Sequence, residues 1–231
     1  EKVFSLVQKP GDSIIKQQLL DFVETFELDS NELQLSPSAK AKLNLLQGLQ
    51  AEWQGDVVYA VRLYQNSMSF WEGENDKNKQ GAVSLLIARC MEKNQNLDKA
   101  IKYYGVCIDR FASNQALKKP CIRSLCRVLR KSGDRWGELE QLARQSGETD
   151  YMTIAIARQE KEPDNILFER LNAERMHGEH IDDPQVFIDI LGHLHRLYFE
   201  RKEYDKAFEV KQEKLSLEQE FGFTAFIGPF R

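Results

Sequence analysis

An all-α fold built from stacked helical hairpins is predicted by three features of the sequence. First, an alanine, an aromatic four residues on and a small residue three further on occur as Ala60, Tyr64 and Ser67, and again as Ala100, Tyr104 and Cys107, 40 residues apart. Second, each set lies on the second of two apolar-periodic stretches joined by a short polar turn, Gln54-Gly55-Asp56 or Asn94-Gln95-Asn96. Third, 42% hydrophobic and 29% charged residues with only six prolines suit helices having one buried and one wet face. The physical logic is steric. Small residues let helices approach closely, the aromatic fills the space between hairpins, and no hairpin buries its apolar side alone.

Taken in order, residues 13–28 place Ile15, Leu19, Phe22 and Phe26 on one helical face, with Asp12 as N-cap. A loop follows, and its Pro37 suits entry to the next helix. Residues 38–71 and 79–111 are the two clear hairpins. A looser third covers 121–145, with Ile122, Leu125, Cys126 and Leu129 on its first helix, Gly133-Asp134 at the turn, and Trp136, Leu139, Leu142 and Ala143 on its second. Residues 149–172 read as a shorter hairpin broken near Pro163. Pro184 opens a last unit, in which Tyr198, Tyr204 and Ala207 match the template and Lys211 stands where the aromatic belongs. A final helix that turns polar is what the end of a stack needs. The expected division is an N-terminal helix and loop over 1–36, repeats over 37–220, and a tail or linker over 221–231.

A net charge of −4 and a pI near 5.7 argue against a general nucleic-acid binder. Cys90, Cys107, Cys121 and Cys126 lack the CxxC spacing of a zinc knuckle and are expected as buried thiols in a reducing compartment. The absence of an initiator Met points to a processed protein or an excised piece of a longer one. Neither a signal-peptide pattern nor a run of about 20 apolar residues is present, so a cytoplasmic location away from membranes is expected.

Gly48, Ala60 and Tyr64, then Leu97, Ala100 and Tyr104, and above all the segments NLDKAIKYY and EYDKAFEV, resemble the tetratricopeptide repeat (TPR) family. The resemblance implies a right-handed solenoid of antiparallel helix pairs, a TPR-like superhelix whose first helices line a concave binding face. More weakly, LEQEFGFTAFIGPFR is similar to helical segments of large bacterial STAND-type signalling NTPases. That likeness implies a sensor or coupling arm of a regulated ATPase. The chain has no GxxxxGK[ST] phosphate loop.

Little else points to chemistry. His177 and His180, with Glu179 and Asp182-Asp183 nearby, could share a metal on a helix, but Gly178 and the polar run read as a solvated loop. His193 and His195, two apart, lie on different helical faces and read as core or interface residues. No nucleophile elbow, zincin motif or dinucleotide fingerprint occurs. No enzyme activity, cofactor or metal is expected.

The charged feature that stands out is a basic stripe. In the resembled fold, positions two, five, nine, twelve and thirteen of each first helix face the groove. They are Lys42, Leu45, Leu49, Glu52 and Trp53 in the first repeat and Ala82, Leu85, Arg89, Glu92 and Lys93 in the second. In the third they are Pro120, Arg123, Arg127, Arg130 and Lys131, and in the last Asp189, Gly192, Arg196, Phe199 and Glu200. Independently of the family, Lys119, Arg123, Arg127 and Arg130 follow one helical face. Such a cluster suits carboxylates or phosphates, and Leu45, Leu49 and Trp53 would add an apolar shelf. The competing reading is that these cations are solvated, or paired with acids of a neighbouring hairpin. Chaperone-binding TPR proteins carry Lys and Asn where this chain has Leu45 and Leu49, so a clamp for a chaperone tail is disfavoured. The expected function is a non-catalytic protein-interaction scaffold for an acidic or partly apolar segment, from another chain or another domain of the same polypeptide. Rival readings are a sensor arm in a signalling ATPase and an RNA-binding repeat. Nucleic acid is disfavoured because Tyr103, Tyr104 and Trp136 read as packing residues.

Overall fold

The computed structural model describes residues 36–178, 181 and 183–222, and every regular element among them is an α-helix. In chain order these are α1 (Pro37–Gln54), α2 (Val57–Gly73), α3 (Lys77–Lys93), α4 (Leu97–Arg110), α5 (Gln115–Ser132), α6 (Trp136–Ser146), α7 (Thr149–Gln159), α8 (Asp164–Met176), α9 (Pro184–Glu200) and α10 (Tyr204–Glu220). The all-α fold class stands. The expected helix over 13–28, the partner His180 of His177, and residues 223–231 of the signalling-NTPase likeness lie outside the described residues. The chain divides into two compact units, Glu1–Val128 and Leu129–Arg231, with the boundary inside α5. None of the described helices is long and apolar enough to cross a membrane.

In the first unit, α1 packs on α2, α2 on α3 and α3 on α4. A device recurring every 20 residues stops one helix and starts the next. Gly55, Asn75 and Gln95 adopt left-handed backbone with φ of +88°, +52° and +57°. Each is followed by an N-cap, Asp56, Asp76 or Asn96, whose side-chain oxygen accepts the N–H of Tyr59, Lys79 or Lys99 at 3.0, 3.0 and 3.4 Å. Ser36 caps α1 in the same way, with Pro37 in the first turn.

The template residues do what their sizes suggest. Ala60, Tyr64, Ser67, Ala100, Tyr104 and Cys107 are all fully buried. Gly48 makes room for one of the two tyrosines, since a Cβ there would sit 2.4 Å from the Tyr64 ring. Cys90 and Cys126 are buried free thiols as expected. Cys107 and Cys121 bring their sulfurs together between α4 and α5 across a Cα separation of 6.6 Å, in a buried cluster with Phe111.

In the second unit α6 packs on α7, α8 on α9, and α9 on both α7 and α10. The residues expected as a looser third repeat form helices α5 and α6, and α6 packs on α7. Gln159 of α7 donates to Trp136 O and Glu140 Oε2 of α6 at 3.3 and 3.1 Å. The break near Pro163 is real, for Pro163 caps α8 and the helix runs on to Met176. In the last pair, Tyr198 donates to Asn172 at 3.0 Å and Arg201 lies 3.7 Å over the Phe168 ring. Lys211 is exposed on a final helix whose exposed residues are mostly polar, with Tyr204, Phe208 and Leu215 exposed among them.

His193 is half-buried on α9, and its burial, then Arg158 and Arg196, pull its pKa from 6.5 to about 4. His195 moves the same way, through burial and then Lys211 and Lys214.

Two outcomes follow from this packing. Gly48→Ala must displace the Tyr64 ring and should lower unfolding free energy by about 1–3 kcal/mol in urea titrations. Because folded His193 stays neutral while the unfolded chain takes up a proton below pH 6.5, stability should fall as pH drops from 6.5 towards 4. The slope from this one group is at most about 1.4 kcal/mol per pH unit. His193→Gln should flatten the pH profile relative to the parent, and a profile of identical slope would contradict the assignment.

Candidate partner-binding face

The first helices of successive hairpins in the first unit are tied by a repeated three-part contact. In the first copy, the carboxylate of Glu52 on α1 accepts the Tyr64 hydroxyl of its own hairpin at 3.1 Å. It also takes the Lys93 ammonium of α3, with the Arg89 guanidinium 3.6 Å away. In the second copy, Glu92 on α3 accepts Tyr104 at 2.9 Å and a bidentate pair from Arg127 of α5 at 3.0 and 2.9 Å. Both carboxylates stand 12 residues before their tyrosine and 40 residues from one another.

Burial sets the chemistry. The phenols of Tyr64 and Tyr104 are pushed well above their ordinary pKa by burial and then by the facing carboxylate, so they remain hydrogen-bond donors. The Cys90 thiol beside Glu52 rises to about 12 for the same reasons and stays protonated. It is a packing residue and not a nucleophile.

A third arrangement lies wholly within the second unit. Asp183, the N-cap of α9, accepts the Tyr151 hydroxyl at 2.8 Å. Arg130 donates to Asp189 at 3.1 Å and approaches Asp183 at 4.0 Å. Again a tyrosine, an acid and an arginine join helices, with the acids supplied by a different element.

These contacts redraw the expected binding set. Leu45 and Leu49 are no open shelf, because both are buried in the core cluster with Tyr64, Val83 and Leu86. Arg130 is only 11% exposed between its two acids, which removes it from any outer surface. Arg89, Lys93 and Arg127 are paired with acids of a neighbouring hairpin, the competing reading at those positions. Lys42 and Lys131 are exposed, and Trp53 and Arg123 are half-buried. Arg196 is exposed and meets Glu200 one turn on at 3.4 Å. The candidates thus divide between units, Lys42, Trp53, Arg89, Lys93, Arg123 and Arg127 in the first and Lys131 and Arg196 in the second.

The residues that sequence reasoning undervalued are the acids. In the resembled fold Glu52 and Glu92 take groove-facing positions that by themselves imply no role. Their spacing of 40, shared with the tyrosines, is the signal that pairs them. Among the described residues no three His, Cys, Asp or Glu side chains converge as metal ligands would.

No family model and no curated protein matches the chain. Solved structures do match. Two crystal structures of a putative kinesin light chain from Podosopora anserina with nearly identical TPR-like repeats, one of them a point variant, align at TM-scores of 0.56 and 0.54 with 13% identity. They cover 83% and 80% of this chain and 100% and 98% of theirs. A Rap protein complexed with competence and sporulation factor aligns at 0.45 and 14% identity, over 87% of this chain and 59% of its own. That last likeness is too distant to carry an argument. The kinesin light chain match establishes the fold, TPR-like helical repeats.

The buried acids supply the test of this geometry. Arg89→Met combined with Lys93→Met leaves the Glu52 side chain, 1% exposed, without its cations. Unfolding free energy should drop by about 3–5 kcal/mol, as for other half-broken buried pairs. Glu52→Gln, which keeps an oxygen for Tyr64 and frees cations that reach water, should lose less.

Proposed function

We propose that this chain is a non-catalytic protein-interaction module whose first unit grips an acidic, partly apolar protein segment. The binding face is formed by Lys42 and Trp53 of α1, Arg89 and Lys93 of α3, and Arg123 and Arg127 of α5. The segment belongs to another chain or to another part of the same polypeptide.

The observation that carries this reading is the layering of charge. The Glu52 side chain is 1% exposed and that of Glu92 11%, while Lys93 above the first is 52% exposed and Arg127 above the second 37%. Each pair therefore turns its acid inward and its cation outward. Pairing lowers the net field, so long-range attraction is modest. It also holds the cations in place before a partner arrives, which reduces the ordering entropy of association. Selectivity then comes from oriented donors meeting carboxylates or carbonyls at short range, with Trp53 as an apolar contact beside them.

Charge reversal at Arg127 is a poor test, since a glutamate there would face Glu92 and unfold the clasp. Neutral substitutions at the outer cations are better. Lys42→Gln, Lys93→Gln and Arg123→Gln together leave Arg89 on Glu52 and Arg127 on Glu92. With fluorescein-labelled peptides of alternating Glu and Leu as probe, anisotropy should show roughly tenfold weaker binding for the triple variant, and weaker binding of the parent in high salt. Equal affinity for parent and variant would sink the basic face. Retention of a single-stranded RNA oligonucleotide on filters, with no peptide binding, would favour the RNA reading instead.

A further inference from the structure

Two of the four cysteines meet at the joint between α4 and α5, inside the first unit. Cys107 sits in the last turn of α4 and Cys121 in the second turn of α5, 14 residues apart in the chain. Their Cα atoms are 6.6 Å apart. Disulfides span Cα separations of about 4.4–6.8 Å, so the two backbones stand at bridging distance. Both side chains are fully buried with Phe111, and Leu85, Ile108 and Leu117 pack against them. As a thiol, Cys121 donates from Sγ to Leu117 O at 3.4 Å. Cys90 and Cys126 are buried single thiols.

A buried pair reacts only if one member is reached from outside. Pro120 lies inside α5 immediately before Cys121, and it has no N–H to give to Ala116 O. The first turn of α5 therefore lacks one of the bonds that would hold it to the rest of the helix. Gln115, Ala116 and Lys119 of this stretch are exposed, as are Ala112 and Ser113 of the connector. Opening this stretch alone brings Cys121 to water while α4 keeps Cys107 in place. Further along, α5 carries Arg123 and Arg127, and Arg127 is bidentate on Glu92 of α3. A link between α4 and α5 thus bears on the helix that supplies two cations of the face described above.

We propose that Cys107 and Cys121 are a reversible redox site that exchanges with a small disulfide of the glutathione type and, once oxidised, locks α5 to α4. Cys121, as its thiolate, attacks one sulfur of the small disulfide. That S–S bond breaks, one small thiol leaves with the proton that Cys121 gave up, and a mixed disulfide remains. The Cys107 thiolate then attacks the Cys121 sulfur, closing the intramolecular disulfide and expelling the second small thiol with its proton. The protein loses two electrons and two protons, and the small disulfide gains both. The consequence for recognition rests on the binding role proposed above. With its start locked, α5 presents Arg123 and Arg127 with less ordering left to complete when a partner binds.

The full chain, equilibrated in mixtures of reduced and oxidised glutathione, is quenched with acid, alkylated and mapped by tryptic mass spectrometry. In oxidising mixtures the peptides 103–110 and 119–123 should appear joined, with Cys90 and Cys126 alkylated. Dithiothreitol added to the folded protein should restore all four thiols. Hydrogen exchange at the start of α5 should slow roughly tenfold or more on oxidation, and the effect should vanish in Cys121→Ala. Because the parent is compared in its own two redox states, the measurement survives a variant that fails to fold. The proposal is overturned if the pair stays reduced in excess oxidised glutathione, joins Cys90 or Cys126 instead, or leaves exchange unchanged. The oxidised chain should also bind the glutamate–leucine peptide roughly threefold more tightly than the reduced one. Equal, measurable binding by both forms refutes the link to recognition. Slowed exchange with no peptide binding by either form supports the redox site and sinks the binding role instead.

Discussion

A buried carboxylate held by a tyrosine of its own hairpin and a cation of the next is the contact on which the first unit turns. Glu52 and Glu92 occupy the same place in successive hairpins, and each would be intolerable there alone, since an unpaired charge out of water is strongly destabilising. The tyrosine settles the position of the acid within its hairpin. The cation settles the register of the hairpin that follows. Apolar packing between stacked helices is tolerant of small slips, whereas a bidentate arginine on a carboxylate is not. In the second unit Tyr151, Asp183 and Arg130 solve the same problem with acids drawn from α9.

Steric fit supplies the complementary constraint. Tyr64 can reach Glu52 only because Gly48 leaves space for its ring, and the alanines at 60 and 100 allow the helices carrying both tyrosines to come close. Polar and apolar specifications therefore depend on the same side chain. The tyrosine is at once a fully buried aromatic of its hairpin core and the donor that satisfies a buried acid. Left-handed residues and caps at 20-residue spacing then deliver each helix to that arrangement at the right phase.

The same layering bears on recognition. A surface of unpaired arginines would attract any polyanion over a distance. Cations fixed over buried acids present donors with defined directions and little net charge, which suits short-range discrimination between protein segments better than bulk capture of nucleic acid. On the proposed reading it also couples binding to stability, because Arg89, Lys93 and Arg127 would serve both.

Much of this was legible in the sequence by itself. Periodicity separates the helices, Gly55-Asp56 and Asn94-Gln95-Asn96 mark the turns, and Ala-aromatic-small at a 40-residue interval implies stacked hairpins, because these are local consequences of side-chain size and backbone preference. The sequence also held both readings of the basic stripe without deciding between them. Tertiary structure supplied the partners and depths, sending Arg130 inward to Asp189, placing Arg127 over Glu92, and burying Leu45 and Leu49 that a family template assigns to an open groove. It likewise brought Cys107 to Cys121 and left Phe208 uncovered. Those outcomes depend on which helix lies across from which, and on how deep each face sits. Charge pairing and burial are properties of two elements at once, and a one-dimensional pattern describes only one of them at a time.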